Sequence, residues 1–97
     1  MSASLSTHVL DTGRGEPARG VQVELFRSGD FVARGETDSD GRITQLASDL
    51  EPGMYTIVFH PMTGFFERVE LEVALDDGHY HLPLLLSPYS CTTYRGS

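Results

Sequence analysis

Apolar and polar residues alternate along this chain with the period of a strand, and no stretch keeps the period of a helix. The clearest case runs from Phe66 to Leu75. Val69, Leu71, Val73 and Leu75 fall on one side, and Arg68, Glu70 and Glu72 on the other. A segment with one dry and one wet face at this period is satisfied by a sheet and not by a helix. Val21 to Leu25 alternates in the same way. So does Met54 to His60, with Met54, Thr56 and Val58 on one side and Tyr55, Ile57 and Phe59 on the other.

Turn residues punctuate the alternation. Leu5 to Asp11 reads as the first strand, and Asp11 to Arg19, with Gly13, Gly15 and Pro17, as a loop. Ser28-Gly29-Asp30 turns the second strand into a third, Phe31 to Thr37. Asp38-Ser39-Asp40-Gly41 is a tight turn of residues that hydrogen-bond their own backbone, and Arg42 to Thr44 reads as a short fourth strand. Gln45 to Gly53 is a polar connection ending in the breaker Pro52-Gly53. Beyond Met54 to His60 come a loop at Pro61 to Gly64, the Phe66 to Leu75 strand and a turn at Asp76-Asp77-Gly78. His79 to Leu86, a turn at Ser87-Pro88 and Ser90 to Tyr94 complete the series. About eight short strands at this spacing predict an all-β fold, an antiparallel β-sandwich with little or no helix.

The chain of 97 residues makes one domain, 1–97. A domain of this size buries about 60–70% of its unfolded surface, so oligomerisation would add useful burial. The formal charge is −7, and the seven basic residues, all arginine, are scattered. That argues against nucleic acid and against an anionic membrane as partners. No apolar run approaches the roughly 20 residues that span a bilayer. Cys91, the single cysteine, has no partner for an intrachain disulfide. Neither a basic-then-apolar leader nor a terminal Ser-Lys-Leu stands in the sequence, which makes cytoplasmic residence the expectation.

Chemistry concentrates at the two ends. On a strand, His79 and His81 share a face, while Leu82 and Leu84 to Leu86 occupy both faces. That suits a strand covered both by its own sheet partner and by another subunit. The run from His81 carries Pro83, Leu84, Leu85, Ser87, Pro88 and Tyr89, and ends in Tyr94-Arg95-Gly96-Ser97. Near the start stands Leu5-Ser6-Thr7-His8-Val9-Leu10-Asp11. Both stretches resemble the signatures of the 5-hydroxyisourate hydrolases, the enzymatic branch of the transthyretin-like family, and the likeness extends over nearly the whole chain.

The resemblance implies a transthyretin-like sandwich. It implies a hydrolase that opens the lactam ring of 5-hydroxyisourate, giving 2-oxo-4-hydroxy-4-carboxy-5-ureidoimidazoline in purine breakdown. It also implies a homotetramer, a dimer of dimers, with sites in a channel between facing subunits. Carried onto this sequence, the catalytic set is His8, Arg42, His81 and Ser97. The substrate-binding set is His8, Arg42, Tyr94, Arg95, Gly96 and Ser97. No cofactor or metal is required. Two departures stand out. Pro61-Met62-Thr63-Gly64 leaves no room for the short helix that relatives carry between the fifth and sixth strands, and Cys91 replaces their tyrosine. The first is expected to trim the periphery and leave the site intact.

Taken singly, these residues say less. A lone strand histidine such as His8 is most often a partly buried ring bonded to backbone, and Arg42 alone reads as a solvated turn arginine. Together they supply a proton acceptor and an oxyanion donor, the types that hydrolysis of a lactam needs. Which histidine is the base stays open. His79 reads as solvated or as a supporting residue. His79, His81 and His8 do not make a zinc pattern, because further ligands at known spacing are missing. Glu36 to Gly41 imitates a calcium loop, but Ala47 stands where the twelfth-position glutamate belongs. Cys91 reads as a packing thiol. The rival readings are a thyroid-hormone carrier, which has lysine where His8 stands and lacks the terminal tetrad, and a non-catalytic interaction module.

Overall fold

Strand alternation becomes two stacked sheets. The computed structural model describes residues 2–62 and 64–96. Ser97, placed in the catalytic and substrate-binding sets above, lies outside the described residues, as does Thr63 of the short loop. The strands are β1 (Ala3–Asp11), β2 (Glu16–Pro17), β3 (Gln22–Arg27), β4 (Asp30–Glu36) and β5 (Arg42–Leu50). They continue with β6 (Gly53–His60), β7 (Val69–Leu75), β8 (Gly78–Leu86) and β9 (Cys91–Thr93). No helix occurs among the described residues.

One sheet runs β2-β1-β8-β9, with β5 also paired to β1, and the other runs β4-β3-β6-β7. Alternate residues of each sheet meet in the middle. Leu5, Val9 and Leu84 from the first sheet, and Val23, Leu25, Ile57 and Phe59 from the second, are all 0% exposed. Each such side chain is worth about 1.5–3 kcal/mol in burial. Tyr55 and Val58 are also buried, although they fall on opposite faces of β6.

The structure departs from the sequence reading in several places: the expected loop Asp11 to Arg19 holds the two-residue β2, the expected Phe66 strand begins at Val69, and two larger differences concern direction and length. The sandwich is antiparallel except between β1 and β8, which pair in parallel from Ala3↔Gly78 to Asp11↔Leu86. Alternation is the same for both directions of pairing, so only the path of the intervening chain reveals the difference. The fourth expected strand is also longer, because β5 continues through the polar stretch to Leu50. Its buried residues, Ile43, Leu46 and Leu50, are three and four apart rather than two. The pairing with β1 shifts register between Ala3 and Leu5 and again between Leu5 and Thr7. An irregularity of that kind resets which residues point inward, and it hides the strand from a search for alternation.

The turn before β5 is built around Asp38 and Gly41. Asp38 Oδ1 accepts the backbone N–H of Asp40 at 2.9 Å and of Arg42 at 3.0 Å. Gly41 has φ of 74°. A Cβ there would collide with the Val9 carbonyl oxygen and lie 3.0 Å from Pro17 Cβ. Neither neighbour moves easily, because the Val9 N–H donates to the Gly41 carbonyl at 2.7 Å. Left-handed backbone alone costs a non-glycine residue about 1–2 kcal/mol. Gly41→Ala should therefore destabilise the fold by more than about 2 kcal/mol. A lowered urea midpoint at unchanged slope would show it, and an unchanged midpoint would refute this account of the turn.

Candidate active site

The outer face of the β1–β8 sheet collects the polar residues that the core rejects. On β1, Ala3, Leu5, Thr7 and Val9 are buried, so Ser4, Ser6 and His8 turn the other way. On β8, Leu82 and Leu84 enter the core, which turns His79 and His81 outward. The parallel register places Ser4 beside His79, Ser6 beside His81 and His8 beside Pro83. On the opposite flank of β1, His8 pairs with Arg42, the first residue of β5. The chain end returns to the same place: Gly96 bridges to His81, and its N–H donates to the His81 carbonyl at 2.6 Å. Residues remote in sequence thus meet on one face.

Each functional side chain has a local reason for its position. His8 donates from Nε2 to the Asp40 carbonyl at 2.9 Å. When neutral, that ring therefore keeps its lone pair on Nδ1. Arg42 is exposed, and Asp38 holds its backbone at the head of β5. The backbone hydrogen bond from Arg42 is also the main reason that the Asp38 carboxyl ionises below its ordinary range. His81 is half-buried, with Nδ1 at 2.8 Å from Ser6 Oγ. Burial first, and then the positive charge at His8, Arg42 and His79, pushes its pKa below the ordinary imidazole value. A neutral imidazole with a guanidinium nearby can accept a proton from water while a cation waits for the developing oxyanion.

Gly96 fits only because it lacks a side chain. A Cβ there would lie 2.8 Å from His81 Cδ2 and 3.3 Å from the His81 carbonyl oxygen. The glycine packs directly on the His81 ring.

Of the other expected site residues, Tyr94 and Arg95 take a different side. They line a cavity of about 460 Å³ with Leu71, Leu75, Tyr80 and Leu82. The Arg95 guanidinium sits 4.3 Å from the centre of the Tyr80 ring, and Tyr80 packs against the core. Within one chain, then, His8, Arg42 and Gly96 gather at His81, while Tyr94 and Arg95 lie towards the core side of β8. Three residues escaped the sequence reading as parts of the site: Ser4, Ser6 and Asp38. Ser6 stands in the N-terminal signature with no role of its own and Ser4 just before it, and only the parallel register reveals that both lie across from the histidines. Asp38 was legible as a turn residue but not as the support of Arg42.

These observations define a class first: a two-sheet β-sandwich whose outer face carries histidines and an arginine of the kinds used in acid–base chemistry. The model of the HIUase/Transthyretin family matches residues 5–96, and the chain belongs to that family. The chain is 43% identical to "Probable 5-hydroxyisourate hydrolase" of Schizosaccharomyces pombe, over 97% of this chain and 91% of the relative. That alignment runs over 113 positions, more than this chain has residues, so the relative carries segments that are absent here. The structure of Klebsiella pneumoniae 5-hydroxyisourate hydrolase superposes with a TM-score of 0.90 at 35% identity, covering 98% of this chain and 99% of that one. Sea bream transthyretin, solved in complex with thyroxine, superposes with a TM-score of 0.83 at 31% identity, covering 95% and 93%.

Two expectations follow from the site. Folded His81 binds its proton less readily than the unfolded chain does, so its protonation weakens the fold. Its share of stability is complete above the ordinary value of about 6.5 and is lost as the pH falls through the lowered folded value. The urea midpoint should drop between pH 7.5 and pH 5, and His81→Asn should remove part of that drop. An identical drop in both proteins would contradict the assignment. Gly96→Ala should leave the urea midpoint within about 1 kcal/mol of the parent while shifting the His81 ring resonances, because the tail is exposed and the ring must move. Unshifted resonances would show that the tail does not press on the ring.

Proposed function

We propose that this chain hydrolyses 5-hydroxyisourate to 2-oxo-4-hydroxy-4-carboxy-5-ureidoimidazoline, in urate breakdown. The carrying observation is the meeting of His8, Arg42 and His81 on one outer face, with Gly96 packed on the His81 ring. Relatives and a close structural neighbour bear the name 5-hydroxyisourate hydrolase, which supports the same reading.

In this mechanism His81 Nε2 takes a proton from water, and the oxygen adds to the lactam carbonyl carbon. Arg42 holds the oxyanion that forms. Collapse of the intermediate breaks the carbon–nitrogen bond, and the protonated His81 returns its proton to the leaving nitrogen. Its low pKa favours that return. His8, fixed by Asp40, orients the substrate ring. General-base help of this kind is typically worth about 10²–10⁴ in rate, and a single oxyanion donor about 10²–10³.

The face that carries His8, Arg42 and His81 is open in one chain: neither the cavity of about 550 Å³ nor that of about 460 Å³, which holds Tyr94 and Arg95, is lined by any of the three. A face of this kind needs a cover to exclude water. A second copy of the chain, within a homotetramer arranged as a dimer of dimers, supplies it. Sedimentation should give a tetramer at working concentration, and a monomer with full activity would refute the shared site.

The activity test is direct. 5-Hydroxyisourate made from urate with urate oxidase should decay far faster with this protein than without it. His81→Ala and Arg42→Ala should each lower kcat by about 10²-fold or more. Decay at the spontaneous rate from a folded protein would sink the reading, and saturable thyroxine binding without hydrolysis would favour a carrier instead.

A further inference from the structure

Behind His81 runs a chain of hydrogen bonds that the reaction, as written, does not use. Ser6 Oγ lies 2.8 Å from His81 Nδ1 and 2.9 Å from His79 Nε2. His79 Nδ1 in turn lies 2.6 Å from Ser4 Oγ. Ser6 is only 7% exposed, and His79 and Ser4 lead outward from it towards solvent. The chain alternates serine and histidine on neighbouring parallel strands, and the register pairs Ser4 with His79 and Ser6 with His81.

Hydrogen-bond inventory limits the chain to two orientations. A serine hydroxyl has one proton, and a neutral imidazole has one N–H and one lone pair. In the first orientation, His81 Nδ1–H donates to Ser6, Ser6 donates to His79 Nε2, and His79 Nδ1–H donates to Ser4. Every bond is then made, and His81 Nε2 carries a lone pair. In the second, every donor is reversed, and His81 Nε2 carries a proton that it cannot use to accept one from water. Only the first leaves His81 Nε2 able to accept a proton, and the nearby Arg42 charge opposes a further positive charge on that ring.

We propose that Ser6 and His79, backed by Ser4, are positioning residues that fix His81 as the Nδ1–H tautomer and so present the Nε2 lone pair to the attacking water. The inference rests on the hydrolytic reading for its catalytic consequence, while the tautomer itself is a property of the folded chain. The device does for His81 what a carboxylate does for histidine in a serine-protease triad, with a neutral serine–histidine pair in place of the charge. When His81 takes the water proton, Ser6 Oγ goes on accepting from Nδ1–H. No proton is stored in the chain, and the proton on Nε2 passes to the leaving nitrogen. The second histidine of the His-Tyr-His stretch is thus the reacting one, and the first holds the serine that aims it.

The test has an arm that does not depend on activity. Nitrogen-15 ring spectra of the wild type at pH 7.5 should show His81 as a single Nδ1–H tautomer, and Ser6→Ala should remove that preference. In the 5-hydroxyisourate assay, Ser6→Ala should lower kcat by about 10–10²-fold with KM changed less than about twofold, a fraction of the full general-base effect. Ser6→Thr keeps the hydroxyl and should recover most of kcat. His79→Gln keeps an acceptor for the Ser6 hydroxyl and should retain more activity than His79→Leu. Circular dichroism would confirm that each variant is folded. A wild type that turns over substrate while His81 samples both tautomers overturns the proposal, as does an unchanged kcat or a change in KM alone. A wild type that is locked in the Nδ1–H form but inactive supports the positioning device and overturns the hydrolytic reading instead.

Discussion

The parallel pairing of β1 with β8 is the constraint on which this molecule depends. It joins the beginning of the chain to its end, and its register runs without a slip from Ala3↔Gly78 to Asp11↔Leu86. Side chains on paired strands stand in matched columns, so one register serves both faces at once. Inward, it sets Leu5 beside Tyr80, Thr7 beside Leu82 and Val9 beside Leu84. Outward, it sets Ser4 and Ser6 beside His79 and His81. A slip of one residue would bury the histidines and expose the leucines. The hydrophobic effect therefore protects the geometry of the site: the side chains that carry no chemistry enforce the alignment of those that do.

The remaining parts hang on that pair. β5 lies along the other flank of β1 and delivers Arg42 across from His8. The Asp38 carboxylate and the left-handed Gly41 make the turn that starts β5, so a tight local structure sets the backbone of Arg42. The chain end folds back beyond β9 until Gly96 reaches the His81 backbone. Glycine is required there because the imidazole occupies the space of a side chain. Local turn chemistry and long-range pairing thus act on the same few cubic ångströms.

Family membership does not by itself separate chemistry from carriage, since one superposed neighbour is a hydrolase and another was solved with thyroxine. The separation lies in side chains. A neutral, half-buried imidazole with a cation nearby is suited to moving protons and stabilising an oxyanion, and an apolar ligand would find little there to bind. The serine–histidine chain behind His81 points in the same direction: its buried member, Ser6, bonds both histidines and so couples their donor and acceptor roles.

The sequence determined much by local rules. Period-two alternation marked Val21 to Leu25, Met54 to His60 and Phe66 to Leu75 as strands, and turn chemistry marked their ends. The two terminal signatures singled out His8 and His81, and the turn at Asp38 to Gly41 brought Arg42 into view. Short-range order cannot show direction or register between strands far apart in sequence, because alternation is the same whichever way a strand is paired. The parallel β1–β8 ladder, the irregular β5 hidden behind a shifted register, and the placing of Ser4 and Ser6 against His79 and His81 were therefore decided only by the tertiary structure. A serine acquires a function from what stands across from it, and that neighbour is chosen by packing.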